Sequence, residues 1–298
     1  MNPRQQLRRL VQARRGVLVP GAFNAMSARI VADLGFEALY ISGAGFTNMQ
    51  MGLPDLAFMG LSDIAQATTQ IRLAVDLPLI VDADTGFGNA LNVHRSVRVL
   101  EQAGANAIQL EDQIFPKRCG HFSGKEVAPL SEMIGKIHAA VDARHNTDTL
   151  IVARTDARSV QGFGAAVERA ERMAEAGADV LFVEAPESIE EIRELPRRLS
   201  TPLLINIVIG GKTPVVPQAE LAAMGYGMVL YANTALQGAV VGMQRALGHL
   251  KAEGQIHEDP QLVAPFAERQ RLVVPHLHQG ELTTERQGQQ QAEQGKGH

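Results

Sequence analysis

The most constraining feature of this chain is a recurrence of eight short apolar runs, spaced about 30 residues apart and separated by stretches of helical periodicity. They are Val17 to Phe23, Ala38 to Ser42, Leu77 to Asp84, Ala107 to Asp112, Thr149 to Asp156, Asp179 to Ala185, Pro202 to Asn206 and Gly227 to Asn233. Strands that alternate with helices pair in parallel, because each helix carries the chain back across the sheet. Eight such units close into a (β/α)8 TIM barrel, so the expected fold class is α/β. The helical segments include Met26 to Leu34, Leu61 to Val75, Ala90 to Ala103, Leu130 to Ala143, Phe163 to Ala176 and Ile189 to Leu199. Gly35, Gly104 and Gly177 follow three of them, where a left-handed residue ends a helix.

A length of 298 residues, 45% of them hydrophobic, suits one large barrel or two small domains, and the recurrence favours one. We expect a single domain over 1–283, with a basic helix from about Pro3 to Arg15 in front and a helical extension from about Leu236 behind. Residues 284–298, rich in Gln and Gly, read as a disordered tail. The net charge of -4 gives no reason to expect nucleic acid or an anionic membrane as partner, which leaves a small molecule. A lone cysteine, Cys119, rules out an internal disulfide. With no apolar run of signal-peptide or membrane-span length, the expected location is the cytoplasm.

Active sites of such barrels lie at the carboxyl ends of the strands. Nearly every run here ends in a polar residue: Asn24, Tyr40 and Ser42, Asp82 and Asp84, Glu111 and Asp112, Arg154 and Asp156, Glu184, Asn206, Asn233. Alternate residues of a strand share a face, so Asp82 and Asp84 are expected side by side, with Glu111 arriving from the next strand. Clustered carboxylates call for a cation, and oxygen donors without nearby Cys or His favour Mg2+ or Mn2+ over zinc. The plainer reading makes Asp84-Thr-Gly a turn and Asp82 a cap; Glu111 and the barrel pattern weigh against it. After the fourth run, Lys117, Arg118, Cys119 and His121 crowd into one loop bearing Gly120 and Gly124, which give it freedom to move. A thiol among basic groups reads as reactive, able to act as acid, base or nucleophile. Gly210-Gly211-Lys212 is a poor match to a phosphate loop and reads as a turn or a closing element.

These residues carry a resemblance. Tyr40 to Gly45 (YISGAG), Gly52 to Asp55 (GLPD), Val81 to Gly88 (VDADTGFG), Gln109 to Gln113 (QLEDQ), Lys117 to His121 (KRCGH) and Ala153 to Asp156 (ARTD) occur in the order found in the isocitrate lyase and phosphoenolpyruvate mutase superfamily. The chain resembles that superfamily over about residues 17 to 235, and the KRCGH loop resembles its lyase branch. The resemblance implies a barrel whose last helix is exchanged between subunits, in a homotetramer. It implies Mg2+ on Asp82 and Asp84 with Asp55 and Glu111 in support, and a substrate carboxylate on Ser42, Gly43 and Ala44, with Arg154, Glu184, Asn206 and the Cys119-Gly120 backbone completing the pocket. Catalytic roles fall to Cys119, Tyr40, Lys117, His121 and Glu111. The implied reaction cleaves the C2–C3 bond of a 2-hydroxy dicarboxylate, with Cys119 as acid and Tyr40 or a metal-bound group as base.

The chain departs from 2-methylisocitrate lyases where they resemble Asn-Leu-Thr-Glu-Phe-Gly; here Asn206 is followed by Ile-Val-Ile-Gly-Gly-Lys-Thr-Pro. An arginine of those enzymes aligns with Gln237. The Gly-Gly-Lys-Thr-Pro turn is more similar to dimethylmalate-lyase-type and petal-death-type members, although Ile209 stands where those tend to carry Glu. The rival readings are decarboxylation or hydrolysis of oxaloacetate at the same metal, a phosphonate mutase or hydrolase, and a non-catalytic dicarboxylate-binding barrel.

Overall fold

The computed structural model describes residues 2–120 and 124–273. Eight parallel strands, β1 (Val17–Ala22), β2 (Leu39–Ile41), β3 (Leu79–Asp82), β4 (Ala107–Glu111), β5 (Leu150–Thr155), β6 (Val180–Val183), β7 (Leu203–Asn206) and β8 (Met228–Tyr231), form a barrel closed in sequence order. Pairing of Val17 with Met228 and Val19 with Leu230 joins the last strand to the first. The helices are α1 (Pro3–Gln12), α2 (Ala25–Asp33), α3 (Gly43–Phe46), α4 (Leu61–Ala74), α5 (Ala90–Ala103), α6 (Leu130–Ala143), α7 (Arg158–Gln161), α8 (Phe163–Glu175), α9 (Ile189–Arg198), α10 (Gln218–Met224), α11 (Thr234–Glu253) and α12 (Phe266–Val273). One π-turn spans Thr47–Met51. Gly35, Gly104 and Gly177 all adopt positive φ, as their places behind helices require.

Two apolar layers hold the barrel. The outer one packs the inward faces of the helices, such as Ile64, Val97, Ile137 and Met173, against outward strand residues such as Leu39, Val81, Ile108 and Leu181. The inner layer fills the lumen with Val17, Val19, Tyr40, Ile80, Ala107, Val152, Phe182, Leu204, Met228 and Leu230. Leu7, Leu10 and Val11 of α1 join this inner cluster, so the N-terminal helix closes the floor of the barrel. That contact is tight: a Cβ on Gly227 would lie 2.7 Å from the carbonyl oxygen of Val11. Arg4 and Arg8 pin the helix by donating to Thr149 Oγ1 and to Asp179 and the Thr147 carbonyl. Leu7→Ala opens a cavity under the lumen and is expected to cost about 2–5 kcal/mol in a urea titration.

The chain divides into two compact units, Met1–Ala239 and Val240–His298. The first carries the whole barrel. In the second, the C-terminal part of α11 exposes Val240, Val241, Met243, Leu247 and Leu250. The expected tail lies outside the described residues. Among the described residues, no helix is long and apolar enough to cross a membrane.

Candidate active site

The period of two that fills the lumen also builds the site. The inner rows of β3 to β7 start apolar and continue into polar residues at the carboxyl end: Ile80 then Asp82, Ala107 then Gln109 and Glu111, Val152 then Arg154, Phe182 then Glu184, Leu204 then Asn206. Register sets Asp82 beside Gln109 and Glu111 beside Arg154. The narrow space where they meet, about 30 Å3, is lined among others by Tyr40, Ser42, Ala44, Asp82, Lys117, Cys119, Gly120, Arg154, Glu184 and Asn206. A larger cavity of about 460 Å3, lined by Arg4, Arg98, Glu101 and His145, belongs to the floor end and receives none of these inner rows.

Asp82 accepts three hydrogen bonds. Its Oδ1 accepts from the Gln109 side-chain amide at 3.0 Å and from the Asp84 backbone N–H at 3.2 Å, and its Oδ2 accepts from the Gly43 N–H at 3.2 Å. The structure corrects one expectation here. Strand β3 stops at Asp82, and Asp84 lies beyond it with φ +46°, so strand alternation does not set its direction. The turn reading and the charged-site reading therefore hold together: the Asp82 side chain caps the turn that swings Asp84 round. A non-glycine residue in that backbone region costs on the order of 1–3 kcal/mol and is met chiefly at functional sites.

Asp84 meets a cation, but from the loop. The Lys117 ammonium donates to Asp55 and stands 2.9 Å from Asp84 Oδ1, a charge contact without hydrogen-bond alignment. Asp55, expected to support a metal, is engaged by Lys117. Likewise Glu111 lies 3.2 Å from Arg154, yet neither of its oxygens is hydrogen-bonded to the protein. Burial pushes Asp84 up to about 7, against the pull of Lys117, and pushes Glu111 well above the ordinary carboxylate range. Burial works against the Lys117 ammonium, but Asp84, Glu111, Asp55 and Asp82 outweigh it and hold its pKa well above the usual lysine range. Among the described residues, no three Asp, Glu, His or Cys side chains converge as a finished metal cage. The donor set is still the one a hard cation takes: oxygen only, deeply buried, with the Asp84 and Glu111 oxygens lacking hydrogen-bond partners. It suits magnesium, which binds through one or two carboxylates and completes its shell with water and substrate oxygens.

Arg154 is the main positive group across the pocket. It reaches Glu111, Asp156 at 2.9 Å and Glu184 at 3.4 Å, and packs 5.3 Å from the centre of the Phe182 ring. Asn206 extends its amide toward Glu184 at 3.5 Å, while its buried Oδ1, like Asn233 Oδ1, has no protein partner. Unpartnered buried polar atoms in a pocket call for a ligand. Ser42 caps α3 by accepting from Gly45 N–H, which fixes the Gly43-Ala44 backbone beside Asp82. Tyr40 donates its hydroxyl proton to Gln109 Oε1 at 2.8 Å, and burial, then Asp82, raises its pKa well above 10. In this arrangement Tyr40 is a donor and not a base. Gly120, expected to lend mobility, answers to packing instead: a Cβ there would lie 2.4 Å from Arg154 Nη2 and 2.6 Å from Glu184 Cγ. His121 lies outside the described residues.

A family model described as phosphoenolpyruvate phosphomutase matches residues 7–251. The chain is 47% identical to the 2-methylisocitrate lyase of Aeropyrum pernix, over 83% of this chain and 80% of that protein. It is 43% identical to the 2,3-dimethylmalate lyase of Eubacterium barkeri, over 82% and 84%. The chain belongs to the phosphoenolpyruvate mutase/isocitrate lyase superfamily. Within that superfamily its barrel is also similar to a phosphonopyruvate hydrolase solved with oxalate and Mg++, at a TM-score of 0.80 and 31% identity over 91% of this chain and 95% of that one.

Three residues that matter to this superfamily site were passed over in the sequence. Gln109 links Tyr40 to Asp82, and the alternation that singles out Glu111 on β4 would have singled it out too. Asp156 was noted as a strand end but given no role; it grips Arg154 through two hydrogen bonds. Lys125, one residue past Gly124 of the basic loop, has no sequence pattern that marks it and is buried. The departures from 2-methylisocitrate lyases, Ile209 and Gln237, border a neighbouring cavity of about 400 Å3 that also touches Cys119, Val208 and Leu236. There Gln237 Nε2 donates to the Ile209 carbonyl at 3.2 Å.

Proposed function

We propose that this protein is a magnesium-dependent carbon–carbon lyase that splits a 2-hydroxy dicarboxylate, a substituted malate or 2-methylisocitrate, into a 2-keto acid and a carboxylic acid. One juxtaposition carries the reading: Asp82, Lys117, Arg154 and the lone thiol of Cys119 line one pocket, and behind Lys117 and Arg154 lie buried oxygens of Asp84 and Glu111 without hydrogen-bond partners. The lyases among its relatives support it.

In this reading Asp82 and Asp84 hold the Mg2+, with Asp55 and Glu111 in support; Mn2+ would suit the same oxygens. The ion, when bound, supplies Lewis-acid polarisation of the substrate's 2-hydroxyl and adjoining carboxylate. Ser42, Gly43 and Ala44 bind and orient that carboxylate, and Arg154, Glu184, Asn206 and the Cys119-Gly120 backbone complete the pocket around the rest of the substrate. The Glu111 carboxylate, whose buried oxygens have no hydrogen-bond partner, takes the hydroxyl proton, and the electron pair left on that oxygen forms the keto carbonyl as the C2–C3 bond breaks. The electron pair of that bond stays with the departing fragment as an enediolate. Cys119 returns a proton to its carbon, while the Cys119-Gly120 segment keeps out water that would quench it first. The same proposal includes a cytoplasmic location, one functional domain over 1–283 and a homotetramer with exchanged C-terminal helices, the last two to be checked by analytical ultracentrifugation of full-length and truncated chains.

The deciding assay incubates the protein with Mg2+ and, separately, 2-methylisocitrate, 2,3-dimethylmalate, citramalate, malate and oxaloacetate, with and without EDTA, and identifies both products. Metal-dependent release of pyruvate plus a carboxylic acid from a substituted malate or from 2-methylisocitrate is expected. Turnover of oxaloacetate alone would replace the lyase by a decarboxylase or hydrolase, and tight dicarboxylate binding without turnover would make the barrel a binding protein.

A further inference from the structure

Lys125 has no part in the chemistry above, yet it is among the best-satisfied charges in the molecule. Its side chain is 1% exposed, against 0% for Asp156, and its ammonium donates to Asp156 Oδ1 at 2.7 Å. The same ammonium donates to the backbone carbonyl of Gly120. Burying a lysine this deeply is costly unless its charge is paired and its protons are used, so a solvent-exposed position would have been cheaper had the residue served solubility alone.

The partners give it a purpose. Asp156 also accepts from Arg154 Nε at 2.9 Å and Nη2 at 3.1 Å. Arg154 in turn faces Glu184, and Gly120 packs on both. Lys125 thus closes a ring: Gly120 carbonyl to Lys125, to Asp156, to Arg154, and back by contact to Gly120. Arg154 and Lys125 together overcome the burial of Asp156 and hold its carboxyl below the usual range, so the ring stays charged. Its consequence reaches the preceding residue through Gly120 itself: the bond to the Gly120 carbonyl and the packing of Gly120 on Arg154 and Glu184 hold Gly120 in place, and Cys119 is tethered to it by one planar peptide.

We infer that Lys125 is a positioning residue that anchors the Gly120 carbonyl to Asp156 and so sets where the Cys119 thiol stands relative to Arg154. It touches no reacting atom. An exchange for methionine removes both donated bonds and leaves Gly120 held only by packing.

Cys119 is the single cysteine, so a thiol reagent such as Ellman's reagent reads this position alone in the full-length protein. Lys125→Met is expected to raise the thiol's reaction rate about 10- to 100-fold, the range that loss of a charge-assisted hydrogen bond accounts for. Lys125→Arg, which retains donors for both acceptors, should restore much of the wild-type rate. On the best substrate of the panel, kcat of Lys125→Met should fall by a similar factor with KM moving far less. Melting curves and circular dichroism accompany each variant, and Lys125→Gln replaces the methionine variant in every comparison if the latter does not fold. A role confined to fold stability would move the melting temperature and leave the thiol rate unchanged; that result, or no difference between the methionine and arginine variants, overturns the inference. The kinetic arm rests on the proposed lyase activity and the thiol arm does not. A separation of thiol rates without turnover would therefore sink the lyase reading and keep this one.

Discussion

Asp82→Ala is expected to lower kcat/KM for the substrate cleaved fastest by about a thousandfold or more, and to abolish the rise in melting temperature that Mg2+ is expected to give the wild type. A bound metal supplies several kcal/mol of transition-state stabilisation, and each 1.36 kcal/mol is tenfold in rate. The alanine also strands the amide of Gln109 and the N–H of Gly43, which now donate to the Asp82 carboxylate. Fold loss is not the expected cause. Asp82 is one of the charges that push Asp84 upward, so its removal eases repulsion inside the metal-free site. Asp82→Asn separates the two effects, because the amide oxygen still accepts one of those bonds while the charge is gone. Thermal shift with and without Mg2+, alongside turnover, checks the prediction. A variant keeping a tenth of wild-type turnover would rule out Asp82 as a metal anchor.

The second large effect falls on Cys119. Cys119→Ser conserves shape but replaces an acidic thiol with a hydroxyl that holds its proton far more firmly. General acid catalysis contributes typically about 10²–10⁴-fold, and a loss of that size in kcat is expected, with KM nearly unchanged. Because Cys119 is partly exposed and lines both the narrow pocket and the neighbouring cavity, the exchange disturbs little of the core. Steady-state kinetics on the panel substrates decide it: full cleavage by the serine variant would remove Cys119 from the acid role. Reading the two variants together is informative. If Asp82→Ala fails and Cys119→Ser does not, the thiol is dispensable and the metal carries the reaction, as an oxaloacetate hydrolase would require.

The fold was legible in the sequence because it depends on periodicity, a local property. Helices α5 and α6 run over the residues their patterns mark, and each strand lies inside its apolar run. Small differences arise at ends. The N-terminal helix stops at Gln12, and Arg14 turns to positive φ to lead the chain into β1. The polar ends of the strands were legible for the same reason, since the inner row of a barrel strand is simply every second residue carried on to the rim.

What the sequence by itself determined is therefore the barrel, the end at which its chemistry lies, and most of the side chains gathered there, among them Asp82, Glu111, Arg154, Glu184 and Asn206. These follow from spacing along one strand at a time. Only the tertiary structure decided which groups answer one another: Lys117 against Asp84 and Asp55, Gln109 between Tyr40 and Asp82, and Lys125 between Gly120 and Asp156. It alone turned Asp84 out of the strand and made Gly120 a matter of packing against Arg154. The physical reason is common to all of these. Charge pairing and burial depend on distances between segments far apart in the chain, and no periodicity within a segment encodes the direction from which a partner on another segment arrives.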